Sequence, residues 1–207
     1  MLIEAFKKQK KHLTALVLSD GREVLLDNET CSDFCLKQGA EITEERLREL
    51  IYDSEYRRAK SRALWYLDCA DRTEKGLYKK LCEAGFDKKA SAAVVARFAE
   101  VGLLDDRRFA ENFAERCKDA NISPRETVRK LYEKGISYDM AKEIVSETET
   151  DEEAQIRALI EKKYARKLEL ENGAEKVYAA LIRKGFSFSA VRSVLKKYSE
   201  ELEYSEE

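Results

Sequence analysis

Residues 77–86 read LYKKLCEAGF, residues 127–136 read TVRKLYEKGI and residues 177–186 read VYAALIRKGF. Aligned at an offset of 50 residues, they place Leu77, Thr127 and Val177 in one column and Leu81, Leu131 and Leu181 in a second. Gly85, Gly135 and Gly185 fill a third, with Phe86, Ile136 and Phe186 directly after them. Residues four apart share a helix face, and a glycine just beyond the last of them suits the left-handed position that ends a helix. The register continues into Val94-Val95, Ile144-Val145 and Val194-Leu195. Self-similarity at a fixed period marks stacked supersecondary units.

Working outward from each glycine, every unit reads as three helices. First helices are predicted near 54–69, 105–119 and 152–169, and second helices near 74–84, 124–134 and 173–184. Third helices follow near 88–101, 138–147 and 188–199. Thr73 before Glu74 and Ser123 before Pro124 are N-cap pairings. Upstream, the apolar runs Leu13–Leu18 and Val24–Leu26 flank Ser19-Asp20-Gly21-Arg22, which predicts a β-hairpin. A short helix over 29–37 ended by Gly39, and a helix near 43–52 capped by Thr43, complete a small α+β cap. The expected organisation is a cap (1–53), three-helix repeats at 54–104, 105–150 and 151–199, and an acidic tail (200–207). The fold class is mainly α.

Composition agrees. One proline and eight glycines in 207 residues, with 39% charged and 43% hydrophobic, exclude a loop-rich sandwich, a collagen-like chain and wholesale disorder. No stretch approaches the roughly 20 apolar residues that span a bilayer, so no membrane association is expected. The N-terminus lacks the apolar centre of a signal peptide. Five cysteines without a short repeated spacing argue against a disulfide framework and for a reducing cytoplasm.

The net charge of −2 hides local differences. Residues 54–104 carry 11 basic and 7 acidic side chains, while residues 1–53 carry 8 and 11. Five glutamates and no base lie in residues 199–207. Basic surfaces therefore exist on a mildly acidic chain.

Catalytic, metal and cofactor sites are not expected. His12 is the only histidine and sits among lysines at a strand start. Cys31 and Cys35 are four apart with no second pair nearby, which falls short of a zinc set. Cys69, Cys82 and Cys117 read as small hydrophobes in helix packing. Asp105-Asp106 and Asp151-Glu152-Glu153 open helices, where carboxylates cap exposed N–H groups. Among the bases, Arg57, Arg58, Lys60 and Arg62 cluster on one helix. Lys79-Lys80 recurs in register as Arg129-Lys130, and Arg183-Lys184 lies four positions later in its own unit. Two readings stay open for these bases, a solvated face or a binding strip for phosphates or an acidic protein groove.

Taken in order, several motifs resemble the RecX family of bacterial regulators of the RecA recombinase. They are Ala63-Leu64-x-x-Leu67, Arg72-Thr73-Glu74 through Leu77 and Leu81 to Gly85-Phe86, and Val101-Gly102-Leu103-Leu104-Asp105-Asp106-x-x-Phe109-Ala110. Leu131-Tyr132-Glu133-Lys134-Gly135-Ile136 follows, then Lys162-Lys163 and Arg183-Lys184-Gly185-Phe186. The likeness spans roughly residues 54–199. It implies an elongated, curved stack of three-helix repeats that is not an enzyme; a monomer without a cofactor is expected. It implies binding to the RecA–single-stranded-DNA filament and inhibition of its ATPase and strand exchange, with effects on recombination, DNA repair and the SOS response. Contact with DNA would be weak or made through the filament. Arg57, Arg58, Lys60, Arg62, Lys79, Lys80, Arg129, Lys130, Lys162, Lys163, Arg183 and Lys184 are the candidate contacts. The alternative is a stand-alone DNA-binding protein using basic helix faces.

Overall fold

The structure is a computed structural model that describes residues 1–10 and 12–205. It divides into two compact units, Met1–Asp105 and Asp106–Glu207. No helix among the described residues is long and apolar enough to cross a membrane.

The first unit opens with an antiparallel sheet, β1 (Ile3–Lys10), β2 (Leu13–Leu18) and β3 (Glu23–Asp27), in that spatial order. The expected hairpin is β2–β3, with Leu16 opposite Val24 and Gly21 at φ +85° in the turn. β1 is an addition to the sequence reading. Its lysine-rich sequence has little strand propensity of its own, and pairing supplies the structure, with Phe6 opposite Leu16 and irregular register near both ends. Lysines along such an edge discourage pairing with a further strand. His12 sits exposed in the β1–β2 turn.

After β3, α1 (Asn28–Asp33) is capped by the Asp27 carboxylate, which accepts from the Glu29 N–H at 2.9 Å. It stops well before Gly39, because Cys35 takes the left-handed conformation at φ +50°. The predicted helices 43–52 and 54–69 are one helix, α2 (Glu44–Cys69), unbroken across the expected boundary at 53/54. Leu47 and Leu50 join the cap core with Ile3, Leu16, Leu18 and Leu26. Ala59 and Ala63 join the next core. At 3.6 residues per turn these two sets lie on roughly opposite sides of α2. Ser54, buried between them, accepts from the Asp27 N–H at 2.7 Å and fixes the helix to the end of β3.

With α2 as first helix, α3 (Glu74–Glu83) and α4 (Lys88–Glu100) complete a three-helix module. Its core is Ala59, Ala63, Leu77, Leu81, Val94, Val95, Phe98 and Leu104. In the second unit α5 (Asp106–Asp119), α6 (Pro124–Lys134) and α7 (Tyr138–Glu147) form the next module around Phe109, Ala110, Leu131, Ile136 and Ile144. The third begins with the helix expected over 152–169, which runs without a break as α8 (Glu152–Leu159), a π-helical turn (Ile160–Tyr164) and α9 (Ala165–Leu168). α10 (Gly173–Arg183) and α11 (Phe188–Ser205) follow. α11 runs on beyond residue 199 through most of the predicted acidic tail; Glu206 and Glu207 lie outside the described residues.

The repeated glycines close each second helix in the same way. Gly85, Gly135 and Gly185 have φ of +88°, +104° and +89°. The next residue, Phe86, Ile136 or Phe186, donates its N–H to the carbonyl of Leu81, Leu131 or Leu181 at 3.1–3.3 Å. This satisfies a carbonyl the helix end would leave orphaned and turns the apolar residue back inward. Gly185 carries a second constraint. A β-carbon there would stand 2.9 Å from Ser123 Oγ and 3.2 Å from Arg125 Cβ, whereas at Gly85 it would meet nothing within 4 Å.

Gly85→Ala should therefore cost only the left-handed strain, about 1–2 kcal/mol. Gly185→Ala should cost clearly more, since it also pushes the second and third modules apart. Urea unfolding followed by circular dichroism checks this; equal losses for the two variants would remove the packing role of Gly185.

Candidate polyanion-binding surfaces

In the first unit, structure claims much of the basic charge. Arg57 donates to Asp53 through Nε at 2.7 Å, to Asp33 at 2.6 Å and to Glu29 at 3.3 Å. Asp53 also accepts from Thr30 Oγ1 at 2.8 Å, so this half-buried cluster ties α1 to α2. Its carboxylates hold the Arg57 guanidinium charged, the Asp53 hydrogen bond foremost. Arg58 pairs with Glu55 at 3.3 Å and lies over the Phe86 ring at 5.8 Å. Arg62 lies over the exposed Trp65 ring at 5.5 Å, and Lys60 is exposed. Lys79 and Lys80 both reach Glu83, at 3.8 and 3.0 Å. The Lys80 hydrogen bond holds the Glu83 carboxyl below its ordinary range.

In the second unit, five predicted residues come together. Where α6, the π-helical turn and the end of α10 meet, a cleft of about 400 Å³ is lined by Arg129, Lys130, Lys163, Arg183 and Lys184. Its one carboxylate is Glu126. Ser123 organises the floor: as N-cap of α6 its Oγ accepts from the Glu126 N–H at 3.3 Å, and it donates to the Lys184 carbonyl at 2.6 Å. A second bond joins the modules, from Gln155 Nε2 to the Lys118 carbonyl at 3.0 Å. The Arg129 guanidinium grips Glu126 at 2.6 and 2.8 Å and also pairs with Glu133. Glu126 is held below the ordinary carboxylate range by the Arg129 hydrogen bond first, with the charges of Arg129, Lys130 and Lys184 adding to it. Lys130, Lys163, Arg183 and Lys184 make no side-chain ion pair within 4 Å among the described residues. Lys162 is exposed on the same π-helical turn but does not line the cleft.

A larger groove, about 1,230 Å³, shares Glu126, Arg129 and Arg183 with the cleft. Tyr132 and Tyr138, 60% and 59% exposed, line it with Arg125 and Lys142. None of these four was among the expected contacts; the available signal was an aromatic on each side of Gly135 beside recurring bases. Sequence reading also could not bring Lys163 and Arg183-Lys184 to Arg129-Lys130, because the register between modules puts them at different positions.

No group of three or more potential metal ligands occurs among the described residues. All five cysteines are free. Cys117 is buried and Cys82 half-buried, but Cys69 is exposed at the end of α2, contrary to the packing role expected for it. Burial pushes the Cys31 and Cys117 thiols up, away from the reactive thiolate.

Arg57→Ala should lower the unfolding midpoint of the first unit by an amount equivalent to about 1 kcal/mol, and less at high salt. Lys60→Gln should leave it within about 0.5 kcal/mol. Denaturant titrations at low and high salt measure both; a neutral Arg57→Ala would return this arginine to the pool of available surface charge.

Two family descriptions match the chain. Residues 59–98 match "RecX, first three-helix domain" and residues 151–195 match "RecX, third three-helix domain". Over 201 residues the chain is 30% identical to the regulatory protein RecX of Clostridium tetani (strain Massachusetts / E88), covering 94% of this chain and 92% of that one. It is 28% identical over 202 residues to the regulatory protein RecX of Clostridioides difficile (strain 630), covering 95% of each. In fold it is similar to a crystal structure of regulatory protein RecX, with a TM-score of 0.70, 21% identity and coverage of 93% of this chain and 98% of that one. A crystal structure of RecX from Lactobacillus salivarius gives a TM-score of 0.62 at 22% identity, covering 69% and 96%.

Proposed function

This chain belongs to the RecX family of regulatory proteins, and we propose that it is a non-enzymatic, cytoplasmic inhibitor of the RecA recombinase that binds the RecA–single-stranded-DNA filament. The observation that carries this reading is the 30% identity to a regulatory protein RecX over nearly the full length of both chains. The geometry supports it in two ways. Each module presents long charged helix faces around a small core of its own, which suits a partner with a repeating surface. The basic cleft and the exposed bases of the first unit supply positive charge for phosphates or acidic protein surface. The bases in the filament-binding role are Arg58, Lys60, Arg62, Lys79, Lys80, Arg129, Lys130, Lys162, Lys163, Arg183 and Lys184. Arg57 serves the fold first.

A stand-alone DNA-binding role is the second reading, favoured by the tyrosine-lined groove next to the basic cleft, since aromatic faces beside cations suit single strands. It requires tight binding to DNA alone, falling steeply with salt.

Adding the protein to RecA on single-stranded DNA should reduce ATP turnover at stoichiometric ratios. Unchanged turnover would contradict the proposal. Charge reversal at Lys79, Lys80, Arg129 and Lys130 together should weaken inhibition roughly tenfold or more, equivalent to at least 1.4 kcal/mol, with the helical circular dichroism spectrum retained. Fluorescence anisotropy on a labelled oligonucleotide without RecA separates the two readings.

A further inference from the structure

We propose that the cleft between the second and third modules is a binding site for a chain of phosphate groups, and that its occupation ties these two modules together. Three observations meet there. Five cations from α6, the π-helical turn and α10 face about 400 Å³ of space against one carboxylate, and that carboxylate is already gripped by Arg129. Lys130, Lys163, Arg183 and Lys184 have no ion-pair partner within 4 Å among the described residues, unlike the bases of the first unit at Arg57, Lys79 and Lys80. The lining comes from both modules, Arg129 and Lys130 from one and Lys163, Arg183 and Lys184 from the other.

The density of charge selects the ligand class. Four cations in excess around so small a space call for an anion whose charges are equally close. The phosphates of an oligophosphate are linked directly through one shared oxygen, and a nucleic-acid strand carries one on every residue. An extended acidic peptide presents a carboxylate on one side only every second residue, about 6–7 Å apart. Lysine and arginine also suit phosphate chemically, as point charges and as planar donors able to bridge two oxygens. The π-helical turn contributes Lys163 to the lining, and such turns recur where a helix serves a site. A ligand that bridges lysines of both modules binds the joined state in preference to the separated one, so it stabilises the joint by mass action.

Phosphate chains come from two sources, free oligophosphate or a nucleic-acid backbone, and the test has an arm for each. The full-length protein is titrated at about 0.15 M salt with inorganic tripolyphosphate, with a short oligothymidylate and with hexaglutamate, followed by calorimetry and by melting temperature. Binding of tripolyphosphate, of oligothymidylate or of both, tighter than hexaglutamate and with a raised melting temperature, is the expected result; the arm that binds names the source. Lys130→Gln, Lys163→Gln and Lys184→Gln combined should weaken that binding at least tenfold with the circular dichroism spectrum unchanged. Lys88→Gln with Lys89→Gln, exposed in the other unit and outside the candidate contacts, should leave it within twofold. No binding in either phosphate arm, equal binding of hexaglutamate, or equal losses in the two variants would overturn the proposal. The inference shares residues with the filament reading but does not depend on it. Phosphate binding without effect on RecA would sink the filament reading alone, and inhibition of RecA that survives the triple variant, with phosphate binding lost, would separate them in the other direction.

Discussion

Each module turns on one residue that must hold a positive φ. At Gly85, Gly135 and Gly185 the chain leaves its second helix through the left-handed region, which costs a side-chain-bearing residue about 1–2 kcal/mol. The consequence is local and then architectural. The N–H after the glycine returns to the carbonyl five residues back, and the side chain on that same residue is carried toward the core. Phe186 and Ile136 are almost fully buried for this reason, and Phe86 packs against the first module's core. Without this reversal the third helix of a module could not lie back along the second, and Val94, Ile144 and Val194 would lose the surface they cover. In the third module the corner also touches its neighbour, because the backbone at Gly185 lies where a β-carbon would meet Ser123 and Arg125. The same atom-sized absence thus serves folding within a module and contact between two.

That constraint is the part of the fold the chain announces most openly, since three glycines in one register with apolar neighbours point directly to one repeated helix corner. The caps were legible too: Thr43, Thr73, Ser123 and Asp151 each accept a backbone N–H from the first turn of their helix. α2 was not legible as one helix, for a physical reason. Leu47 and Leu50 face the sheet, whereas Ala59 and Ala63 face the opposite way into the first module. An apolar stripe that changes sides looks in sequence like two helices with a break. The helix runs on through its own backbone hydrogen bonds, and Ser54, on the same side as Leu47 and Leu50, bonds to the end of β3. β1 escaped notice because its strand character is conferred by β2. The π-helical turn has no composition of its own and arises where the third module's first helix packs Ile160 inward.

The candidate surfaces were only half readable, because a list of bases records charge and says nothing of its compensation. Arg57 opened the densest basic cluster in the sequence, yet three carboxylates from α1 and α2 surround it. Two of those, Glu29 and Asp33, are remote in sequence, so only the fold of the cap reveals them. Lys79-Lys80 and Arg129-Lys130 match in register, but each pair faces a glutamate one turn on, at Glu83 or Glu133. Helical spacing that places bases on a surface places acids there as well, and such i,i+4 pairs are worth only a few tenths of a kcal/mol. They therefore leave the bases easy to recruit while masking them in any count of net charge.

Compensation also separates the two kinds of positive charge in the molecule. A base whose partners are fixed by the fold, such as Arg57, stabilises the state in which those partners meet. Bases gathered without partners do the reverse, since like charges held near one another raise the energy of the arrangement that gathers them. At the joint of the second and third modules, two hydrogen bonds, Ser123 to Lys184 and Gln155 to Lys118, and the close fit at Gly185 act against that repulsion. The screening length falls from about 10 Å at 0.1 M salt to about 3 Å at 1 M, so the balance at the joint shifts with ionic strength. A multivalent anion shifts it further than monovalent salt, because it removes the repulsion and adds attraction to both sides. The −2 of the whole chain is silent on this, and the arrangement of five side chains around one cleft is what makes the joint responsive to its surroundings.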